Sequence, residues 1–408
     1  MDEIKFICPK DECTGCMACL NICTHSAIDI ITDKYGFQYP ILNRENCVDC
    51  GLCQRVCPQI NKRQFHNSCE CFAAILKDDA DSATCASGGV ATALSRIIIR
   101  QGGIVVGCSG EDMQHVKHII VKAESELYKL KGSKYVQSEI ASTLYKEIRA
   151  ELLSDRKVLF IGTGCQTAGL QNFLIKEYQN LYTVDLVCHG VPSQKMLNDD
   201  LALYKDIDYN SLQFRIKKKK AVSDDFKVIR YGMSALRTCR IGSYPKPLFV
   251  KWYKDPYLGA FMANVNFRES CYKCQYARQE RQSDITICDF WGLQKDAILS
   301  KKGSVSAALI NTPKGQNLFK ASENLLYSEQ RDVEEAIKGN GQLQYPSPTN
   351  PLREQFMSIY LNKGIIKAYQ MTVYKSMRIK SLKDTIFPKL YPYLSPIYKQ
   401  LRRLLRNR

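Results

Sequence analysis

The sequence predicts an α/β domain preceded by a small, cysteine-stapled α+β domain and followed by a basic helical tail. Three observations carry this reading: two complete C-x2-C-x2-C-x3-C runs within the first 60 residues, apolar strands alternating with helical stretches from Cys71 to about Ile310, and a proline-broken end rich in Lys and Arg. With 408 residues and 45% hydrophobic content, the chain is long enough for a sizeable core and two or three domains. The expected division is 1–65, 66–345 and 346–408.

In the first region, CTGCMACLNIC places Cys13, Cys16, Cys19 and Cys23, and CVDCGLCQRVCP repeats the spacing with Cys47, Cys50, Cys53 and Cys57, followed by Pro58. Three cysteines two residues apart let a tight loop wrap one face of an iron–sulfur cubane, while the fourth ligand arrives from elsewhere. In two-cluster ferredoxins the fourth cysteine of each run crosses to the other cluster. The expected ligand sets are therefore Cys13, Cys16, Cys19 and Cys57 for one [4Fe-4S] cluster, and Cys47, Cys50, Cys53 and Cys23 for the second. Zinc or disulfides are the alternatives, and two complete runs in one short segment argue against both. Thr24 stands where a proline usually follows the fourth cysteine, which leaves the ligand set intact. Cys8, Cys69 and Cys71 fall outside the pattern and read as small apolar residues.

The second region alternates apolar strands, such as Phe72–Leu76, Ile104–Val106, Val158–Ile161 and Tyr182–Val187, with helical stretches, implying an at least partly parallel sheet. ASGGVATAL sets Ser87, Gly88 and Gly89 directly before a helical pattern, where backbone N–H groups can receive a phosphate; the same turn also starts ordinary helices. GTGCQTAGL and CHGVPS each follow a strand, so Cys165 and Cys188 stand at carboxyl ends of strands, where open α/β sheets bind ligands. SCYKCQYA adds Cys271 and Cys274 as C-x2-C. Together these make four thiolates, the complement for a third [4Fe-4S] cluster, with a tetrahedral zinc site or a redox motif as alternatives. Two clusters upstream need an electron destination, which favours the cluster.

Lys and Arg exceed Asp and Glu, 58 against 41, giving a formal net charge of +17. Anionic clusters take up part of this excess, and the rest suits an acidic electron-carrier protein. No nucleic-acid motif is present, and the run Lys217–Lys220 reads as a solvated loop, so nucleic acid is not an expected partner. Nineteen cysteines grouped at ligand spacings, in a chain without an apolar N-terminal stretch, point to the reducing cytoplasm instead of a disulfide framework. No apolar run approaches a membrane span. After Pro396, IYKQLRRLLRNR puts Ile397, Leu401, Leu404 and Leu405 on one helical face with the basic residues largely elsewhere. The first expectation for it is packing onto its own domain or a partner protein. The second is peripheral contact with an anionic membrane at the inner face.

The segments SGGVATAL, GSKYVQS (Gly132 to Ser138), VLFIGTGCQTAGL, VDLVCHGVPS, FRIK (Phe214 to Lys217) and the stretch from Phe267 to Gly292, with SCYKCQYA and DITICDFWG, resemble in consistent order the coenzyme F420 hydrogenase/dehydrogenase beta-subunit family. The resemblance spans roughly residues 70 to 310 and, behind a two-cluster ferredoxin module, looks like the free-standing bacterial version of that family. It implies an FAD-binding α/β domain with its own [4Fe-4S] cluster, in which Ser87, Gly88 and Gly89 approach the FAD phosphates and Lys134 and Tyr135 line the flavin. Two departures stand out: Gly164 replaces the usual proline before Cys165, and Cys288 replaces the usual glycine before Asp-Phe-Trp-Gly, which puts an extra thiol near the proposed third site. The implied activity is a flavin-dependent iron–sulfur oxidoreductase relaying electrons between clusters, FAD and a small-molecule or protein acceptor. No catalytic residue or substrate is named by the sequence, and deazaflavin reduction is only the family's namesake reaction. A non-catalytic electron-transfer subunit for another reductase is the alternative.

Overall fold

The computed structural model describes residues 5–204, 207–215, 234–241, 244–302 and 304–382. The Lys217–Lys220 run and the segment after Pro396 lie outside the described residues.

The cysteine-rich N-terminal unit holds two short helices, α1 (Ala18–Ile22) and α2 (Leu52–Arg55), and one antiparallel hairpin, β1 (Ile28–Thr32) with β2 (Gln38–Leu42). The Asp33 carboxylate closes the hairpin turn by accepting from the N–H groups of Tyr35 and Phe37, both at 2.9 Å.

The rest of the chain forms a mixed α/β body. Its elements run β3 (Glu70–Leu76), α3 (Asp79–Thr84), α4 (Val90–Arg100), β4 (Ile104–Ser109), β5 (Lys117–Val121), α5 (Leu144–Leu153), β6 (Val158–Thr163), α6 (Gly164–Leu174), β7 (Leu181–Leu186) and α7 (Gln194–Leu201). An antiparallel sheet of β8 (Ile207–Gln213), β9 (Ser234–Ile241) and β10 (Tyr244–Lys251) follows. Then come α8 (Pro256–Met262), β11 (Ile285–Asp289), β12 (Ser306–Ile310), α9 (Pro313–Ala321), β13 (Leu326–Arg331), α10 (Val333–Gly339) and α11 (Arg353–Met371).

Eight strands make the main sheet in the order β13-β3-β12-β11-β7-β6-β4-β5. Strands β4, β6, β7 and β11 are parallel, and antiparallel pairings close both sides. The parallel strands are apolar on both faces because both are covered, and the two-residue period decides which side chain goes where. Val106, Val158 and Phe160 face α5 and α6, in one cluster with Ala18 and Ile22 of α1. Val105, Leu159 and Val184 face the other way, with Leu94 and Ile98 of α4 and Leu318 of α9. The cysteine-rich unit is thus pressed against the α5/α6 face, where each fully buried side chain such as Phe160 or Phe173 contributes on the order of 2 kcal/mol.

A further core gathers Phe37 and Tyr39 from the N-terminal unit with Tyr257 of α8 and Phe356, Tyr360 and Tyr369 of α11. The helical part of the expected tail is therefore built into the body of the protein up to Met377, and α11 bends at Gly364, whose φ is 76°. Among the described residues, no helix is long and apolar enough to cross a membrane.

Candidate iron–sulfur centres

Cys13, Cys16, Cys19 and Cys57 line one cavity, and Cys23, Cys47, Cys50 and Cys53 line a second. The short helices explain the exchange of partners. Cys19 lies in the first turn of α1 and Cys23 just past its end; Cys53 lies in α2 and Cys57 just past it. One helical turn carries the chain about 5 Å, enough to leave one cavity and reach the other. Among the described residues, no three His, Cys, Asp or Glu side chains converge as they would on a single metal ion. The cysteines instead stand around the two hollows.

The first cavity is the buried one. Burial pushes the Cys16 thiol up to about 12 and the Cys19 thiol well up, so neither ionises there without a positive partner. Cys8 shares this cavity and keeps its proton, donating it toward Cys13 and Cys57. Those hydrogen bonds are the chief reason that both thiols are held below the ordinary cysteine range. Gln59 also lines the cavity, and its Nε2 is a buried donor without a partner among the described residues. An orphan donor beside four thiols fits an acceptor-rich anion such as an iron–sulfur cubane. The second cavity is more open: Cys50 is exposed, and Val48 beside it is 59% exposed. There Asp49 N–H donates to Cys47 Sγ and Ala27 N–H to Cys23 Sγ, both at 3.4 Å.

The parallel strands deliver a third set. Cys165 enters the first turn of α6 just past β6, under a capping box in which Thr163 and Gln166 satisfy each other's backbone. Cys188 follows β7, and Cys271 and Cys274 sit in and just after a 3-10 turn, Glu269–Lys273. The four thiols act on one another. After burial, Cys165 and Cys274 raise Cys188, which reaches about 12; Cys188, Cys274 and Cys165 raise Cys271; and Cys165 raises Cys274, which reaches about 11. Four thiols that resist joint ionisation need a cation core to be held as thiolates. The loop bearing Cys274 is anchored from below by the buried Arg281–Asp185 ion pair, with Ser283 and Thr286 donating to Asp185 Oδ1 at 2.8 and 2.5 Å.

Cys288 departs from its expected place beside this set. It packs instead in the apolar cluster of Cys71, Phe290 and Leu299, and after burial it is Asp289 and Cys71 that push its thiol up. Cys71 is fully buried, whereas Cys69 is exposed, so of the three unassigned cysteines only Cys8 reaches a centre.

The first and third sets are neighbours. Tyr145 Oη donates to the Cys16 carbonyl at 3.0 Å and the Gln166 carbonyl at 3.2 Å, joining the loop of one to the residue after Cys165 of the other. Arg268 Nε donates to the Cys13 carbonyl at 2.6 Å, and Gln275 Nε2 to the Pro58 carbonyl at 3.1 Å. Spacing alone gave no sign of Cys8, Gln59, Tyr145 or Arg268; a C-x4-C interval from Cys8 to Cys13 is the one trace in the sequence.

Ser87, Gly88 and Gly89 lead into α4, as a helix-start turn should. Gly88 is required there by the protein itself: a Cβ would run into the Ala74 carbonyl of β3. Its N–H donates to Ser306 Oγ at 2.9 Å, and Ser87 Oγ donates to the Val305 carbonyl at 3.1 Å. What remains for an anion is the first turn of α4, which no side chain caps. Lys134 donates to the carbonyls of Leu130 and Lys131, both at 2.9 Å. Lys131 in turn reaches Asp81 and Thr84, so this loop runs past the turn before Ser87. The Tyr135 ring lies among Phe214 and Phe261, next to the Arg215–Asp289 ion pair (2.6 Å).

No curated protein matches the chain. Among solved structures, one chain of the F420-reducing [NiFe] hydrogenase complex from Methanosarcina barkeri is similar at 17% identity with a TM-score of 0.43, covering 75% of this chain and 92% of that one. Residues 12–60 match the 4Fe-4S dicluster domain, and residues 155–336 match the family described as the C terminus of the coenzyme F420 hydrogenase/dehydrogenase beta subunit. Residues 155–336 therefore carry the C-terminal domain of that beta-subunit family, behind an N-terminal ferredoxin-type 4Fe-4S dicluster domain at residues 12–60.

Proposed function

We propose that the chain is an iron–sulfur flavoprotein oxidoreductase in which electrons enter at the solvent-facing Cys23/Cys47/Cys50/Cys53 set, pass the Cys13/Cys16/Cys19/Cys57 set, and leave through Cys165, Cys188, Cys271 and Cys274 toward FAD. The observation that carries this reading is the contact of Cys16 with α6, bridged by Tyr145, which brings the first and third sets side by side. When bound, the clusters supply one-electron transfer and FAD supplies the change to two-electron chemistry. The chain's residues do the rest. Cys8 and Gln59 offer hydrogen bonds to sulfur, the apolar cluster around α1 excludes water, and the uncapped start of α4 suits a phosphate.

Lys134 and Tyr135 are proposed to lie along the flavin, and Ser87 and Gly89 near its phosphates. The family's name supports deazaflavin as one acceptor. The alternative, an electron-transfer subunit serving a separate reductase, is favoured by the exposure of Cys50 and Val48, which a partner protein can reach. The division into 1–65, 66–345 and 346–408 stays a proposal, as does membrane contact through the last residues. The test is anaerobic purification with iron, sulfide and flavin counted per chain. About twelve irons and one FAD are expected; zinc without acid-labile sulfide would end the reading. Turnover of a deazaflavin, quinone or viologen by the pure chain then separates an enzyme from an electron-transfer subunit.

A further inference from the structure

Arg268 is only 1% exposed and is among the largest fully buried side chains. Its guanidinium meets neutral acceptors: the Cys13 carbonyl at 2.6 Å, the Gln38 carbonyl at 2.9 Å and Gln137 Oε1 at 3.1 Å. Its Cζ stands 4.2 Å from the centre of the Tyr39 ring. Among the described residues it forms no ion pair, in contrast to the equally buried Arg281, which pairs with Asp185. A guanidinium does not give up its proton inside a protein, and carbonyl dipoles offset only part of what it loses on leaving water. The missing countercharge has to come from a neighbour that is not a side-chain carboxylate.

The surroundings supply two candidates at once. The side chain of Arg268 holds the loop that begins at Cys13, and a Cβ on Gly15 would lie 3.2 Å from its Nη1. Its backbone belongs to the third set: its carbonyl accepts from Cys271 N–H at 3.0 Å, and its N–H donates to Val191 at 2.9 Å, in the loop that follows Cys188. Its bonding partners include none of Cys23, Cys47, Cys50 and Cys53. A cubane held by four thiolates is anionic, and its negative charge grows when it takes an electron.

We infer that Arg268 is the shared countercharge of the first and third clusters and favours their reduced forms over that of the second. It is a positioning residue for electrons: a fixed cation between the two inner sites makes them better acceptors than the outer, exposed one. This rests on the three-cluster reading above.

Two substitutions in the full-length, anaerobically loaded chain test it. Arg268→Gln removes the charge. Gln137→Glu keeps the arginine and hands it the carboxylate it lacks. Iron is counted in each sample, and the cluster signals are followed by electron paramagnetic resonance in a potentiometric titration. In both variants the first and third clusters are expected to move to lower potential relative to the second, and Arg268→Lys is expected to recover most of the wild-type spacing. Unchanged spacing in either iron-replete variant, or an equal shift of all three signals, overturns the inference. Where Arg268→Gln loses iron, Gln137→Glu decides alone. A wild-type chain with about eight irons would remove the third cluster from the reading, while the spacing of first and second would still test the arginine.

Discussion

Gly169 leaves room for Cys16: a Cβ on this α6 glycine would lie 2.7 Å from Cys16 Cβ and 3.0 Å from its Sγ. Helix and cysteine loop are therefore in contact with no side chain between them, and the separation of the Cys16 loop from the helix that bears Cys165 is set by a missing methyl group.

Replacing Gly169 by Val should push Cys16 out of the first cavity. The expected result is loss of one cluster signal and of about four irons per chain, with the second dicluster signal kept. A variant that retains all its iron would show that the loop yields and that the contact does not fix the site.

Arg281→Met leaves Asp185 as a buried, uncompensated carboxylate, since their ion pair is 3% and 4% exposed. Stability should fall by about 3 to 5 kcal/mol. Chemical denaturation of the anaerobic protein measures this, and the Cys274 loop, which Arg281 ties through the Tyr276 carbonyl, should lose its iron first.

His118 is buried between Ser138 Oγ and the Ile161 carbonyl, stacked on Phe160, and its imidazole is pushed down to about 4, chiefly by burial and further by the Lys134 charge. The folded state thus resists a proton that the unfolded chain binds near pH 6.5. Stability should be full above that pH and fall as pH drops toward 4, by a total on the order of 3 kcal/mol. His118→Gln should flatten this stretch of the stability curve; an unchanged slope would assign the pH dependence to other groups.

Lys134→Ala should lower FAD content without lowering iron, because the hydrogen bonds of its ammonium among the described residues go to carbonyls of its own loop, away from the cysteine sets. Equal flavin in variant and wild type would remove Lys134 from the flavin site. Gly88 cannot serve for this test, since any side chain there meets Ala74 whether or not FAD binds.

The cysteine spacing made the two N-terminal cavities legible because both ends of a one-turn helix carry cysteines, and the strand pattern placed Cys165 and Cys188 just past the ends of β6 and β7, where they are found. Cys288 misled because the sequence does not reveal which face of β11 meets which layer: the two-residue period sends Ile285 and Ile287 to one side and Cys288 to the other. Arg268 and Tyr145 were invisible for a different reason. Their partners lie 255 and 129 positions away in sequence, and only the docking of one unit on another brings them together. Gly88 looked like a ligand approach and is at least a strand approach, which local pattern alone does not distinguish.

The core that unites Phe37 and Tyr39 with Phe356 and Tyr369 also carries Cys13 on its edge. During synthesis the cysteine loops leave the ribosome long before α11 does. Iron delivery to the first site therefore has a window that closes when α11 is made, and the finished protein is expected to accept iron there far more slowly than a nascent chain halted before Arg353. Comparable uptake by the two would show that the core opens readily after completion.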